Sequence, residues 1–179
     1  MTGKDDMVPA NPRGTHVGNR DIRENRITYS WWEPEVQYNW ALGPAMSRFL
    51  EELKKGKIVG RKCRTCRRIL VPPRMFCERC YNPTDEWVDI EDTGTIETFS
   101  ISYIDSDARP IEEPIFIGVV SLDGASPKHG IMHYFGEVGK DEIHIGMKVK
   151  AVWKPESERT GAITDIMYFK PLKKGGGKK

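Results

Sequence analysis

The sequence predicts a mainly β protein with an N-terminal helix, in which a small metal-binding ribbon precedes a five-stranded barrel. Three observations lead to this fold class. Two closely spaced cysteine pairs lie between residues 63 and 80, apolar and polar residues alternate from 87 to 169, and one amphipathic helix pattern precedes both. Alternation at a period of two residues is typical of strands, and paired Cys-x2-Cys motifs are typical of metal ribbons.

The composition divides the chain into five segments. Residues 1–28 mix Gly, Pro, Asn and both charge signs with almost no apolar periodicity, which predicts a mobile N-terminal arm. Residues 29–56 combine an aromatic segment with an amphipathic helix, 57–84 form the ribbon, and 85–170 form the barrel. Residues 171–179 are rich in Lys and Gly and are expected to be a disordered basic tail.

The aromatic segment is the first part of the chain that requires a surface to cover. Trp31, Trp32 and Trp40 fall with two tyrosines inside twelve residues. They cover either this chain's own domain or another subunit, because Trp and Tyr dominate interface hot spots. We expect these three tryptophans to be the docking strip for a partner.

A short amphipathic helix follows the aromatic segment. Pro44 suits a first helical position, and Gly56 stands where a left-handed cap ends a helix. Apolar residues recur between them at positions 46, 49, 50 and 53, on one helical face. A helix of about three turns is marginal alone in water, so this face must pack on another element.

The two cysteine pairs predict a structural metal site. Cys63, Cys66, Cys77 and Cys80 are the only cysteines, and the two Cys-x2-Cys motifs are separated by ten residues. Such knuckles place four sulfurs around one ion and leave no open position, as structural Zn²⁺ or a rubredoxin-type iron requires, and we expect zinc. Two disulfides, or four unrelated buried cysteines, are the alternatives. Adjacent Cys-x2-Cys pairs are a strained way to make bridges, and the sequence begins with no secretion signal.

The chain contains no apolar run long enough to span a bilayer. Together with the reduced thiols, this leads us to expect a soluble cytoplasmic protein.

Charge is segregated along the chain although the net charge is only +2. Residues 54–80 contain ten basic side chains and one acidic one, whereas residues 85–169 contain seventeen acids and seven bases. The ribbon is therefore expected to attract anions, and its Arg content favours phosphate. The alternative is that short, solvated ribbon strands simply carry charge.

The C-terminal part is predicted to be all β, with strands near 87–90, 94–104, 114–122, 130–136, 147–154 and 162–169. Phe99, Ile101 and Tyr103 share one face of their strand while Ile96 has the opposite parity, which indicates a β-bulge. Five principal strands in about 80 residues fit a small closed barrel, of which the five-stranded OB-fold is a common form.

These motifs, in this order, resemble a known family. They are the helix, Gly60-Arg61-Lys62-Cys63, Pro72-Pro73-Arg74, the second cysteine pair, and Gly94-Thr95-Ile96-Glu97-Thr98-Phe99. The resemblance covers roughly residues 44–170 and is to zinc-ribbon and OB-fold proteins, formerly a domain of unknown function, that accompany thiolases and hydroxymethylglutaryl-CoA synthase. Two positions depart from the family's pattern: Arg67 often corresponds to Gly, and Glu78 to Pro.

The resemblance implies a non-catalytic accessory subunit in a hetero-oligomer with a thiolase-like enzyme, where it helps to bind or channel acyl-CoA. The added N-terminal arm favours a degradative partner, such as benzoylsuccinyl-CoA thiolase, over the acetoacetyl-CoA thiolase and hydroxymethylglutaryl-CoA synthase complex. The residues agree with a non-catalytic role, because a sulfur held by a metal does not attack a thioester and no hydrolase or phosphate-loop motif is present. No catalytic residue is expected. His133, in the middle of a strand, is interpreted as a core or surface histidine.

Binding is therefore the expected activity. Arg61, Lys62, Arg74 and Phe76 are predicted to contact the anionic head of coenzyme A, because its phosphates suit a basic ribbon. A nucleic-acid-binding protein is the alternative, since ribbons and OB-folds also hold phosphates and stacked bases. Against it, the predicted barrel is acidic. An independent acyl-CoA carrier or lid domain is a third possibility, and no membrane contact is expected.

Overall fold

The computed structural model describes residues 18–28, 36–37 and 39–172. The chain divides into two compact units, Met1–Trp40 and Ala41–Lys179. The first unit contains the short helix α1, Asn19–Arg23, which lies within the predicted arm. The Asp21 carboxylate accepts the backbone N–H of Gly18 at 2.9 Å, as at many helix starts. The predicted docking residues Trp31 and Trp32 lie outside the described residues, and so does most of the predicted tail.

The predicted amphipathic helix opens the second unit as α2, Gly43–Lys54. Pro44 lies in its first turn, and Gly56, with φ of 75°, follows its C-terminus. Ala45, Phe49 and Leu53 are buried along one face. The helix therefore begins, ends and packs as its sequence predicts.

A three-stranded antiparallel sheet forms the ribbon. Strands β1 (Ile58–Lys62), β2 (Ile69–Leu70) and β3 (Glu86–Ile90) are ordered β2-β1-β3. β3 lies inside the range that the sequence analysis assigned to the barrel, yet its hydrogen bonds go to β1, with Arg61 opposite Trp87. The third strand of the ribbon thus comes from beyond the second cysteine pair.

The predicted five-stranded barrel is confirmed. Its strands close in the order β4-β5-β6-β8-β7, which is the arrangement of an OB-fold. Two short 3-10 helices, Glu156–Glu158 (η1) and Ile163–Asp165 (η2), connect the last two strands. The strands are β4 (Thr93–Ile104), β5 (Pro110–Leu122), β6 (Gly130–Phe135), β7 (Lys148–Trp153) and β8 (Ile166–Pro171).

The bulge predicted in β4 is present. The register against β5 shifts between Ile96 and Thr98, so that Ile96 enters the barrel core despite its different parity from Phe99. Gly118 lies opposite Phe99, beside this bulge. A Cβ atom at Gly118 would collide with the carbonyl oxygen of Thr98, so the close approach of β4 and β5 there requires glycine.

One hydrophobic core joins the helix, the ribbon and the barrel. Phe49 and Leu53 from α2 belong to the same buried cluster as Ile58 from β1, and as Ile96 and Phe169 from the barrel. The ribbon is therefore not an independently packed domain, because its strands share a hydrophobic core with the barrel. Among the described residues, no helix is both long and apolar enough to cross a membrane.

Candidate functional site

The two cysteine pairs form two knuckles with the same backbone hydrogen bonds. In the first, the N–H of Arg67 donates to the carbonyl of Cys63 at 2.7 Å, and Cys63 N–H donates to the carbonyl of Arg68 at 2.8 Å. In the second, Tyr81 N–H donates to the Cys77 carbonyl and Cys77 N–H to the Asn82 carbonyl, both at 2.9 Å. Each tight turn aims both sulfurs of its pair to one side.

The four sulfurs converge on one point, as predicted. The Sγ atoms of Cys63 and Cys80 are 3.5 Å apart, those of Cys66 and Cys77 are 3.4 Å apart, and all four lie within 4.8 Å of one another. A tetrahedral ion with metal–sulfur bonds of about 2.3 Å requires sulfurs about 3.8 Å apart. The donor set and its spacing fit structural zinc, and disulfides are excluded because all four cysteines are free thiols.

A backbone N–H group lowers the pKa of one thiol in each knuckle, but the net shifts of the two thiols are opposite. Hydrogen bonds from the backbone N–H and the side chain of Asn82 lower the pKa of Cys80 to about 6. The backbone N–H of Arg68 lowers the pKa of Cys66, but burial and hydrogen bonds to the other three thiols outweigh it and raise that pKa to about 11. Because a metal binds thiolates, loading this site releases protons, and acid opposes it.

The two departures from the family's pattern leave the knuckles intact. Arg67 has φ of 61° and still closes its turn onto Cys63, so it adopts the left-handed conformation that Gly takes more easily. The carboxylate of Glu78 forms a salt bridge with the guanidinium of Arg68, with 2.6 Å between Oε1 and Nη1. Neither residue is placed to bind the metal.

Part of the predicted basic surface is neutralised by acids. Three ribbon cations have carboxylate partners: Lys62 with Glu86 at 3.5 Å, Arg64 with Asp85 at 3.1 Å, and Arg68 with Glu78. Four exposed ribbon cations form no salt bridge within the described residues, and these are Lys57, Arg67, Arg74 and Arg79. Fewer uncompensated positive charges therefore remain on the ribbon surface than its composition indicates.

The four residues predicted to contact coenzyme A do not share one face. The guanidinium of Arg61 donates to Thr84 Oγ1 at 2.9 Å and lies over the ring of Trp87, 4.8 Å from its centroid. Lys62 is the next residue of the strand, so its side chain points to the opposite face of the sheet.

Arg74 and Phe76 lie near Arg61 through the backbone around Thr84. The hydroxyl of Thr84 donates to the carbonyl of Arg74, Thr84 N–H donates to the Met75 carbonyl at 2.9 Å, and Phe76 forms a β-bridge with Pro83. Both predicted contact side chains are exposed, Phe76 to 62%. A ligand could therefore contact Arg74 and Phe76 without breaking an existing interaction, whereas Arg61 is bound to Thr84 and Lys62 to Glu86.

A cluster of polar side chains joins the ribbon to the barrel, and the sequence analysis did not predict it. His129, the residue immediately before β6, has its Nε2 2.7 Å from Arg68 Nη2 and 3.3 Å from Glu78 Oε1. Burial, opposed by the Glu78 charge and assisted by Arg68 and Arg74, lowers the pKa of His129. No spacing in the sequence signals this contact, because the residues are 61 positions apart.

His133 is buried and has both ring nitrogens occupied. Its Nδ1 accepts the backbone N–H of Tyr134 at 2.9 Å, so the ring proton lies on Nε2, 3.2 Å from the Ile163 carbonyl oxygen. Burial lowers the pKa of His133, which keeps the ring neutral at pH 7. A satisfied imidazole of this kind is a core residue, as the sequence analysis interpreted it.

Comparison with solved structures gives relatives of the same fold. One is a protein of unknown function from the DUF35 family of Sulfolobus solfataricus, with 26% identity, a TM-score of 0.56, and coverage of 73% of this chain and 87% of that chain. Another is described as the Ltp2-ChsH2(DUF35) aldolase, with 20% identity, a TM-score of 0.54, and coverage of 74% and 98% respectively. A search of curated proteins found no match.

Two family models match adjacent parts of the chain. The rubredoxin-like zinc ribbon domain of ChsH2 matches residues 50–86, and the C-terminal OB-fold domain of ChsH2 matches residues 87–154. Both matches agree with the four-sulfur site and with the closed barrel. Because they follow each other without a gap and together span more than half of the chain, the protein belongs to the ChsH2 family of zinc-ribbon and OB-fold proteins.

Proposed function

We propose that this protein is a non-catalytic accessory subunit of a thiolase-type enzyme complex that handles acyl-CoA. The observation that carries the proposal is the convergence of all four cysteines on one point. A thiolate that binds a structural metal is shielded and does not act as a nucleophile, so the chain has no thiol left for acyl transfer. In such a complex the chain would contribute by binding the partner and acyl-CoA at its surface.

Family membership supports the same role. A DUF35 protein of this fold is named together with an aldolase in the Ltp2-ChsH2(DUF35) structure. For the present chain we propose a thiolase-like partner of the degradative type, on the basis of the resemblance and the added N-terminal arm. Trp31, Trp32 and Trp40 are proposed to contact that partner, since such dense aromatic side chains suit an interface.

The proposed ligand is coenzyme A with its acyl group. Arg74 is an exposed cation on the ribbon, and Phe76 offers an exposed ring nearby for an adenine base. Two residues before Arg74, Pro72 lines a cleft of about 260 Å³ whose walls include Met46 and Leu50 of α2. An anionic head on the ribbon and a pantetheine arm in this apolar cleft match the two chemical halves of coenzyme A. Arg61 and Lys62 are proposed to shape the surface around the head group.

The first experiment identifies the partner. The full chain, tagged at its C-terminus, is expressed in its source organism and purified under gentle conditions. We expect a thiolase-like polypeptide to co-purify, and acyl transfer to require that polypeptide. Recovery of this chain alone, or acyl transfer by the purified chain alone, would contradict the proposal.

A second experiment tests the ligand and separates it from nucleic acid. The purified complex is titrated with coenzyme A and with a labelled single-stranded DNA at two salt concentrations. We expect Arg74→Ala to weaken coenzyme A binding about tenfold, as for loss of one charge-assisted phosphate contact. The matched control Lys140→Ala changes an exposed cation in a barrel loop and leaves binding unchanged. Strongly salt-dependent DNA binding at nanomolar concentration would instead favour a nucleic-acid function.

A further inference from the structure

Two apolar clefts on the barrel share a wall. The cleft of about 260 Å³ proposed for the pantetheine arm is lined by Met132 of β6 and Ile163 of η2, and both residues also line a second cleft of about 500 Å³. The second cleft lies where β6 and β8 diverge, because within the described residues these strands pair only at Phe135 and Phe169. The two clefts therefore form one continuous groove.

The second cleft is large enough for a sizeable organic group. Its volume of about 500 Å³ falls within the range of small-molecule sites, about 300–1,000 Å³. A cavity of about 150 Å³ is enough for one benzene ring. An acetyl group would leave most of the cleft unfilled, whereas an acyl group of about eight carbon atoms or more suits its volume.

The walls of the second cleft are apolar, and the polar groups beside them are already occupied. Met132, Met167 and Ile163 line it and are 68%, 39% and 38% exposed. The buried His133 ring fills the space between β6 and η2, where it accepts the Tyr134 N–H and reaches the Ile163 carbonyl. Within the described residues, no buried side-chain nitrogen or oxygen lacks a partner. An occupant is therefore stabilised mainly by burial of its own apolar surface.

The groove also favours an uncharged occupant. Among the described residues, Lys154 is the only charged side chain that lines either cleft, and its charge acts on the fully buried Asp165 carboxylate. Burial would raise the pKa of Asp165, but the backbone N–H groups of residues 160–162 and the Lys154 charge hold it below its usual range. Because these two charges offset each other, an ionic occupant would lose its hydration without gaining a free counter-charge.

We propose that the second cleft receives the acyl group of acyl-CoA and selects apolar acyl groups of about eight or more carbon atoms. The inference rests on the proposed function, because the first cleft must hold the pantetheine arm. The shared wall at Met132 and Ile163 carries the argument, since a ligand that fills the first cleft continues directly into the second. The thioester would lie beside these exposed side chains, where it stays accessible to the partner subunit.

Photoaffinity labelling of the intact complex tests this placement. The probe is an S-alkyl coenzyme A with a diazirine at the end of an eight-carbon chain, and its thioether cannot transfer the chain to an enzyme thiol. We expect this probe to label Met132 or Met167 of this chain, and excess coenzyme A to abolish the labelling. A probe with a two-carbon chain should label the first cleft instead, at Met46 or Leu50 of α2.

Variants of this chain test the apolar character of the cleft. Met167→Glu places a carboxylate beside the alkyl chain and should reduce labelling of Met132 by the long probe about tenfold. Met167→Leu keeps the site apolar and should retain the labelling, and Ile145→Glu, at an apolar residue 65% exposed in the loop before β7, is a second control. Thermal unfolding establishes that each variant is folded. Equal labelling of Met167→Glu and Met167→Leu would overturn the inference.

The outcomes separate this inference from the proposed function. If the long probe labels only the partner subunit while the complex still binds coenzyme A, the acyl group lies elsewhere and the accessory role stands. Displacement of the probe by free octanoate but not by coenzyme A would reveal a site for apolar acids unrelated to acyl-CoA, which also overturns the inference. If the complex binds neither coenzyme A nor the probe, the proposed ligand fails and the inference fails with it.

Discussion

Arg67 and Tyr81 occupy equivalent positions in the two metal knuckles. Each directly follows the second cysteine of its pair, each donates its backbone N–H to the carbonyl of the first cysteine, and each is left-handed, with φ of 61° and 56°. The knuckle turn therefore imposes a left-handed conformation on whichever residue occupies this position. A non-glycine residue costs about 1 kcal/mol there.

The stability of the knuckle should follow the backbone preference of the residue at position 67. We expect Arg67→Gly to be the most stable form and Arg67→Val to be less stable than the wild type by about 1–2 kcal/mol, because a β-branched residue strongly disfavours positive φ. Thermal unfolding of the zinc-loaded proteins measures the order. Arg64→Val, in the same knuckle and without positive φ, is the control. If Arg67→Gly is less stable than Arg67→Val, the strain argument is wrong.

Removal of one sulfur should unfold the ribbon. We expect Cys63→Ser to abolish soluble expression, because metal affinity is folding free energy in such sites and Cys63 is fully buried. Thr65→Ser, in the same knuckle, should express normally. Elemental analysis of the wild-type protein should find one zinc per chain, and the intense visible absorbance of an iron–thiolate site would identify iron instead. A well-folded Cys63→Ser protein would show that the metal is dispensable.

The Asp165 carboxylate should stabilise the loop of residues 160–165 that leads into β8. Burial would raise the pKa of Asp165, but the backbone N–H groups of Thr160, Gly161 and Ala162, at 3.0, 2.7 and 3.2 Å, hold it below its usual range. We expect Asp165→Asn to lower the free energy of unfolding by about 1–3 kcal/mol, since the amide places a donor against these donors. Urea denaturation measures the difference, with the exposed Asp141→Asn as control. A loss equal to that of the control would contradict the role.

The buried His133 should make the fold sensitive to mild acid. Because burial lowers the pKa of His133 in the folded state, the unfolded chain binds its proton more readily. The stability is fully present above the unfolded pKa of about 6.5 and is lost as the pH falls through the lower folded value. We expect His133→Gln to flatten the decline in unfolding free energy between pH 7.5 and 5.5, relative to wild type at matched pH. His144→Gln, at an exposed ring, is the control, and a decline as steep in His133→Gln as in the wild type would contradict this role of His133.

Local features of this protein were predictable because their causes lie within a few residues. The knuckles depend on Cys-x2-Cys spacing, and helix α2 on Pro44, Gly56 and one apolar face. The bulge after Ile96 followed from a change of parity within one strand. In each case the backbone geometry is decided by neighbouring residues, so it can be seen without knowing what the segment packs against.

The charge of the candidate site was predicted less completely than its metal. Composition indicated a strongly basic ribbon, but it did not show that Glu86, Asp85 and Glu78 neutralise three of the cations. Likewise, adjacency in sequence placed Arg61 beside Lys62, while the strand turned them to opposite faces. Counting charges along a segment does not reveal which of them meet acids brought in from other elements.

By itself, the sequence determined the four-sulfur metal site, the helix and most of the barrel strands, because periodicity and spacing encode them directly. The strand predicted at 162–169 was placed too early, since the chain first forms the 3-10 helix Ile163–Asp165 and becomes a strand at Ile166–Pro171. Only the tertiary structure decided that β3 completes the ribbon, that His129 meets Arg68, and that β6 separates from β8 to leave an apolar cleft. These features depend on pairing between distant segments. Such pairing is selected by the burial of a common core and leaves no local pattern in the chain.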